Sequence, residues 1–242
     1  MTFKRVMVVS ALMLLATAAV AKETPAQAVD SGSFGVFVNG QRVATETFSV
    51  QQVAGGSAAT SQLKAEGGAD PGQRSELKIS AGGDLIRYEW HDLGESKSEL
   101  TVAPNDQFLI EHITARAGEK ASEQPFLMPQ STMVLDNNSF VQRELLAWRY
   151  LGSSCKADNG KLQCPTAPAQ FGVLVPQERT SMSVSLQLVG KEKVKIKGAD
   201  RDLLKVSLKQ ESGDWMLYLD DQDHFKLVRI LVPSNNTEVV RD

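Results

Sequence analysis

Residues 34–50 read FGVFVNGQRVATETFSV. Asn39-Gly40 lies between two runs in which apolar and polar residues alternate. A two-residue type I′ turn needs positive φ at both central positions, and Asn-Gly supplies this at low steric cost. The stretch therefore reads as a β-hairpin. With the turn at 39–40, Val38 faces Gln41, Val36 faces Val43 and Phe34 faces Thr45. Directly opposed residues share a sheet face, so this register puts Phe34, Val36, Val38 and Val43 on one side.

The same alternation recurs outward from the hairpin. Residues 57–65 (SAATSQLKA) and 75–80 (SELKIS) read as short strands. LIRYEWHD (85–92) puts Ile86, Tyr88 and Trp90 on one face and Arg87, Glu89 and His91 on the other. KSELTVA and QFLIEHITA are strands joined through Pro104-Asn105-Asp106, a turn composition. Residues 116–125 read as loop, and 126–135 (FLMPQSTMVL) include a strand, with Pro129 arguing for an edge or a loop. Further on, TSMSVSLQLVGKEKVKIKG (180–198) places Met182, Val184, Leu186 and Leu188 on one face. A three-residue loop, Gly190 to Glu192, would oppose Leu188 with Val194 and Leu186 with Ile196, and keeps charge off the apolar face. DLLKVSLKQ, DWMLYLDD and FKLVRILV complete the series.

One helix interrupts the strands. In DNNSFVQRELLAWRYLG, Ser139 and Gln142 have capping-box spacing and Gly152 is a stop. Val141, Leu145, Trp148 and Leu151 form one stripe. Ten to thirteen short strands, hairpin-length connections and a single helix define a mainly β fold. We expect a curved antiparallel sheet or incomplete β-barrel, with an amphipathic helix at about 139–151 against its concave face.

The chain begins MTFKRVMVVSALMLLATAAVAKETPAQA. Lys4 and Arg5, an apolar run from Val6 to about Ala18, and Ala19-Val20-Ala21 have the layout of a signal peptide cleaved after Ala21. The run is short for a membrane anchor, which needs roughly 20 apolar residues. The expected organisation is a signal peptide (1–21), a flexible leader (22–31), a single β domain (32–233) and a polar tail (234–242). An exported protein, periplasmic or extracellular, follows. The formal charge is −3, or −5 without Lys4 and Arg5, which gives no basic excess for a nucleic-acid partner. Cys155 and Cys164 have eight residues between them, with the turn residues Asp158-Asn159-Gly160 inside the interval. In an exported chain this pair reads as a disulfide.

Catalytic signatures are not found. Gly-x-Ser-x-Gly, His-Glu-x-x-His and the phosphate-binding glycine patterns are absent, and the only histidines are His91, His112 and His224. His91, beside Glu89 and Asp92, reads as a solvated strand end rather than a general base. Asp220-Asp221-Gln222-Asp223-His224 reads as an acidic turn rather than a cation loop. Lys193, Lys195 and Lys197 read as a solvated row that guards an edge. No metal or other cofactor is expected. The remaining feature is apolar. Tyr88, Trp90, Trp148, Trp215 and Tyr218 fall on proposed inner strands and the helix, and are candidates to line a ligand cavity.

Three features resemble exported bacterial β proteins related to the lipoprotein carriers LolA and LolB. They are the G-x-x-x-(A/G)-x-E-x-F run from Gly40 to Phe48, the long strand series with its mid-chain helix, and the closing pair DWMLYLDD/HFKLVRILVP. The resemblance is one of layout across 32–233. It implies an unclosed β-barrel with a hydrophobic concave face closed by helical elements, although the carriers place several helices where this chain has one. The expectation is a non-enzymatic binding or carrier protein for a lipid or other hydrophobic ligand. The alternative is an envelope interaction or assembly protein with a filled core, engaging a protein partner through its surface.

Overall fold

The structure is a computed structural model that describes residues 26–68, 71–158, 161–211 and 213–242. The expected signal peptide lies outside the described residues, as do Asn159 and Gly160 of the expected turn between the cysteines. The first half of the chain contributes β1 (Gln27–Val38), β2 (Gln41–Val53), β3 (Gly56–Ala65), β4 (Gln73–Ser80), β5 (Leu85–Asp92), β6 (Glu99–Asn105), β7 (Phe108–Thr114) and β8 (Ser122–Phe126). A short β9 (Met133–Val134) and helix α1 (Val141–Ser154) follow, then a small ribbon of β10 (Lys156–Asp158) and β11 (Lys161–Gln163). The second half contributes β12 (Ala169–Val175), β13 (Thr180–Ile196), β14 (Ala199–Gln210), β15 (Gly213–Asp220), β16 (Lys226–Val232) and β17 (Thr237–Arg241).

Fifteen of these strands form one sheet in the order β8-β7-β6-β5-β4-β3-β2-β1-β17-β16-β15-β14-β13-β12-β9. From β1, in the middle of the sheet, the strands wind to one edge. The chain crosses over through β9 and α1, then winds back from the other edge until β17 pairs with β1. The fold is thus mainly β with one helix, and the sheet is not closed into a barrel. β9 comes back beside β5, where Leu85 N donates to Gln130 O at 2.7 Å. The inner faces of both halves and α1 share one apolar cluster. It runs from Phe34, Tyr88 and Val102 on one side to Val184, Leu217 and Ile230 on the other.

The 34–50 hairpin forms with its turn at Asn39-Gly40, at φ 51° and 78°. Its register departs from the expected one. Val43 is an extra residue on β2, so Val36 faces Ala44 and Phe34 faces Glu46. The physical reason is burial. Without the bulge, Thr45, Thr47 and Ser49 would face the core. With it, Phe48 and Val50 do, at 3% and 1% exposure, and Val43 is turned out. The same shift carries Glu46 into the interior.

A second bulge corrects the reading of 180–198. β13 runs straight through Gly190–Glu192, and the reversal comes at Lys197-Gly198, where both residues have positive φ, 50° and 83°. Leu188 faces Val206 rather than Val194, and the register slips between Leu188 and Gly190. That slip sends Val194 and Ile196 to the outer face. There they pack with Leu203, Tyr218 and Val228 in a second, smaller core.

Three boundaries also differ from expectation. Residues 27–31, expected in the leader, belong to β1. Residues 122–125, expected in a loop, belong with Phe126 to the edge strand β8. Residues 237–241, expected in a polar tail, form β17, which has strand neighbours on both sides. Its inward side chains, Val239 and Arg241, meet partners that are far away in sequence.

The Cys155–Cys164 disulfide is formed, with Cα atoms 4.2 Å apart. It ties the β10–β11 ribbon to the end of α1.

Candidate functional site

Helix α1 begins two residues later and ends three residues later than expected. Ser139 and Gln142 do not form a capping box. Gln142 Oε1 instead accepts from Asp136 N at 2.6 Å, and the helix start is capped by Glu46, from the sheet. Glu46 Oε2 accepts from Phe140 N at 2.8 Å. Glu46 Oε1 accepts from Ser61 Oγ at 2.5 Å, Ser139 Oγ at 3.2 Å and Val141 N at 3.4 Å. A carboxylate at this end of a helix meets unpaired N–H groups and the positive end of the dipole. Burial nevertheless dominates and pushes Glu46 up to about 7.

The rest of the first helical turns is also enclosed. Arg143 donates to the carbonyls of Asp136 and Ser139, and its guanidinium carbon lies 4.9 Å from the centre of the Trp215 ring. Asp136 accepts from Tyr88 Oη at 2.5 Å. Glu144 Oε1 accepts from Leu227 N at 2.6 Å and pairs with Arg241 at 3.0 Å, while Arg241 also pairs with Asp30 at 2.6 Å. Burial pushes Glu144 up to about 8. These contacts hold α1 inside the sheet, although Arg143 Nε and Glu144 Oε2 are buried without a hydrogen-bond partner among the described residues.

Sequence reading missed Glu46, Glu144, Arg143 and Arg241. The only signal was that Glu46 is in phase with Phe48 and Val50, so a strand that buries those two must bury the carboxylate as well.

Glu111 on β7 is, with Glu46 and Glu144, a third enclosed glutamate. Neither of its oxygens has a hydrogen-bond partner among the described residues, Arg179 is 3.8 Å away, and burial pushes it up to about 7. All three carboxyls have folded-state pKa values above the ordinary 4.5. The folded chain therefore holds their protons more tightly than the unfolded chain. The stability they leave intact below about pH 4.5 is lost as pH rises through about 7 to 8. We expect a higher melting temperature at about pH 5 than at about pH 8. Glu111→Gln should flatten this slope and raise stability at about pH 8 by roughly 1–3 kcal/mol. Melting curves of both proteins across this range check it. An unchanged slope in the variant would count against the assignment to Glu111.

Beside the C-terminal half of α1, the helix and sheet part to leave a cleft of about 640 Å³, open to solvent. Its apolar lining comes from Val29, Val50, Ile79, Met133, Leu145 and Trp148. Leu145, Trp148, Arg149 and Gly152 recur at i, i+3, i+4 and i+7, so one face of α1 forms one wall. Trp148 is held in place by its indole N–H, which donates to Phe225 O at 2.8 Å.

Compared with family models, curated proteins and solved structures, the chain matches none of them.

The five aromatic candidates are not brought together. Trp148 lines the cleft. Tyr88 is fully enclosed beside Asp136. Trp90 is half-buried against the main core and donates to Gln73 Oε1 at 3.0 Å. Trp215 stacks under Arg143. Tyr218, expected on the inner face, belongs to the outer cluster. Its neighbours Leu217 and Leu219 take the inner positions, because successive residues of a strand alternate between faces.

His91 lies on the outer face in a polar trough of about 510 Å³ with Arg74, Glu76 and Glu89. The acidic run at 220–223 is divided among ion pairs with Arg201, Lys191 and Lys226.

Proposed function

We propose that the chain is an exported binding or carrier protein for a lipid or other hydrophobic ligand, which seats in the cleft beside α1. The observation that carries this reading is the cleft itself. Its volume is in the range of ligand pockets, roughly 300–1,000 Å³, and apolar side chains dominate its walls. Helix α1 is not a lid in this reading. Its first turns are the core of the molecule, and only its last turns face the ligand.

The neutral fluorophore N-phenyl-1-naphthylamine tests the proposal. The chain lacking residues 1–21 should bind it, and Trp148→Asp should weaken binding by about tenfold or more by placing a charge on the apolar wall. Circular dichroism and the melting temperature establish that the variant is folded. No binding by the parent chain, or equal binding by the folded variant, would overturn the reading.

A second reading has one observation in its favour. α1 fills the inner face, and the edge strand β8 is followed by Leu127, which is 74% exposed. An envelope assembly protein could present this edge to a partner strand.

A further inference from the structure

We propose that the cleft selects an anionic amphiphile, with Arg149 holding its oxyanion. The inference rests on the apolar-ligand reading above. Arg149 is the only charged side chain among the described residues that line the cleft. Arg201, Arg229 and Arg241 each pair with a carboxylate. Arg149 does not: the one hydrogen bond of its side chain among the described residues runs from Nη1 to Gly83 O, at 2.8 Å. A guanidinium has five N–H donors, so about four are left for a ligand.

Its position is fixed by the loop beneath it. Gly83 has φ +83°, and a Cβ built there would lie 3.7 Å from Arg149 Cζ. The guanidinium therefore rests against bare backbone. On α1, Arg149 follows Trp148 directly and lies one turn beyond Leu145. An alkyl chain against Leu145 and Trp148 brings its head group to Arg149. A planar fork of donors matches a carboxylate or a phosphate in two parallel hydrogen bonds. The apolar walls raise the value of this pair by excluding water on one side. The cleft's volume, about 640 Å³, is ample for an alkyl chain.

The test is displacement of N-phenyl-1-naphthylamine from the chain lacking residues 1–21 by laurate, dodecyl phosphate and dodecanol, which share a chain length. At least one anion should displace the probe at a concentration about fivefold or more below that of dodecanol. Preference for laurate alone assigns a carboxylate head, and preference for dodecyl phosphate alone a phosphate head. Arg149→Gln should remove the preference without removing dodecanol binding, and Arg149→Lys should retain part of it. Equal displacement by all three, or an unchanged preference in Arg149→Gln, would overturn the anion selectivity and leave the apolar-ligand reading standing. If neither the probe nor any of the three binds, both fall.

Discussion

Removing residues 237–242 should abolish folding. The segment is polar and terminal, and as a tail it would be dispensable. In the structure it is β17, bonded to β1 on one side and β16 on the other. Its loss leaves two strand edges unpaired in the middle of the sheet. It also removes Arg241, whose guanidinium carbon lies 5.3 Å and 5.0 Å from the Phe34 and Phe48 ring centres. Arg241 pairs with Asp30 and Glu144, which are both buried. Asp30 then keeps Lys226, at 3.7 Å, as its cation, and stripping a buried carboxylate of its closest counter-charge costs about 3–5 kcal/mol. That is a large share of a typical stability of about 5–15 kcal/mol. Arg241→Met isolates this contribution while keeping the strand, and should lower stability in urea by about 3 kcal/mol or more. A truncated chain that melts within a few degrees of the full chain would contradict the central position of β17.

Glu46→Ala should cost about 3–5 kcal/mol. The substitution strands the N–H groups of Phe140 and Val141 and the hydroxyls of Ser61 and Ser139 in a dry interior. It also opens a void where the side chain stood. Arg143, enclosed nearby, loses an attractive charge. Glu46→Gln keeps the shape and one acceptor oxygen, but sets an amide N–H₂ against the Phe140 N–H or the hydroxyls. It should cost less, about 1–2 kcal/mol. Urea denaturation of the three proteins gives the order. A loss below about 1 kcal/mol for the alanine variant would show that α1 does not depend on this cap.

Both predictions concern residues whose importance is hidden in the sequence. Glu46 and Phe140 are 94 positions apart, and Asp30 and Arg241 are 211 apart. No local pattern reports such pairs. The cleft is hidden for the same reason. Trp148 stands on the helical stripe in the sequence, but Val50, Ile79 and Met133 join it only when the sheet curls around α1.

The sequence by itself determined the strand series, the Asn39-Gly40 turn, the disulfide pair and the single helix. Each depends on residues close together in the chain, through φ preferences, the two-residue period of strands and the 3.6-residue period of helices. The tertiary structure decided the bulges at Val43 and Val189, the central place of both β1 and β17, the outward face of Tyr218 and the capping of α1 by Glu46. A bulge costs little locally, and whether it forms depends on which side chains it buries against distant strands. One inserted residue reverses every face that follows it, so these outcomes are settled by packing across the whole sheet.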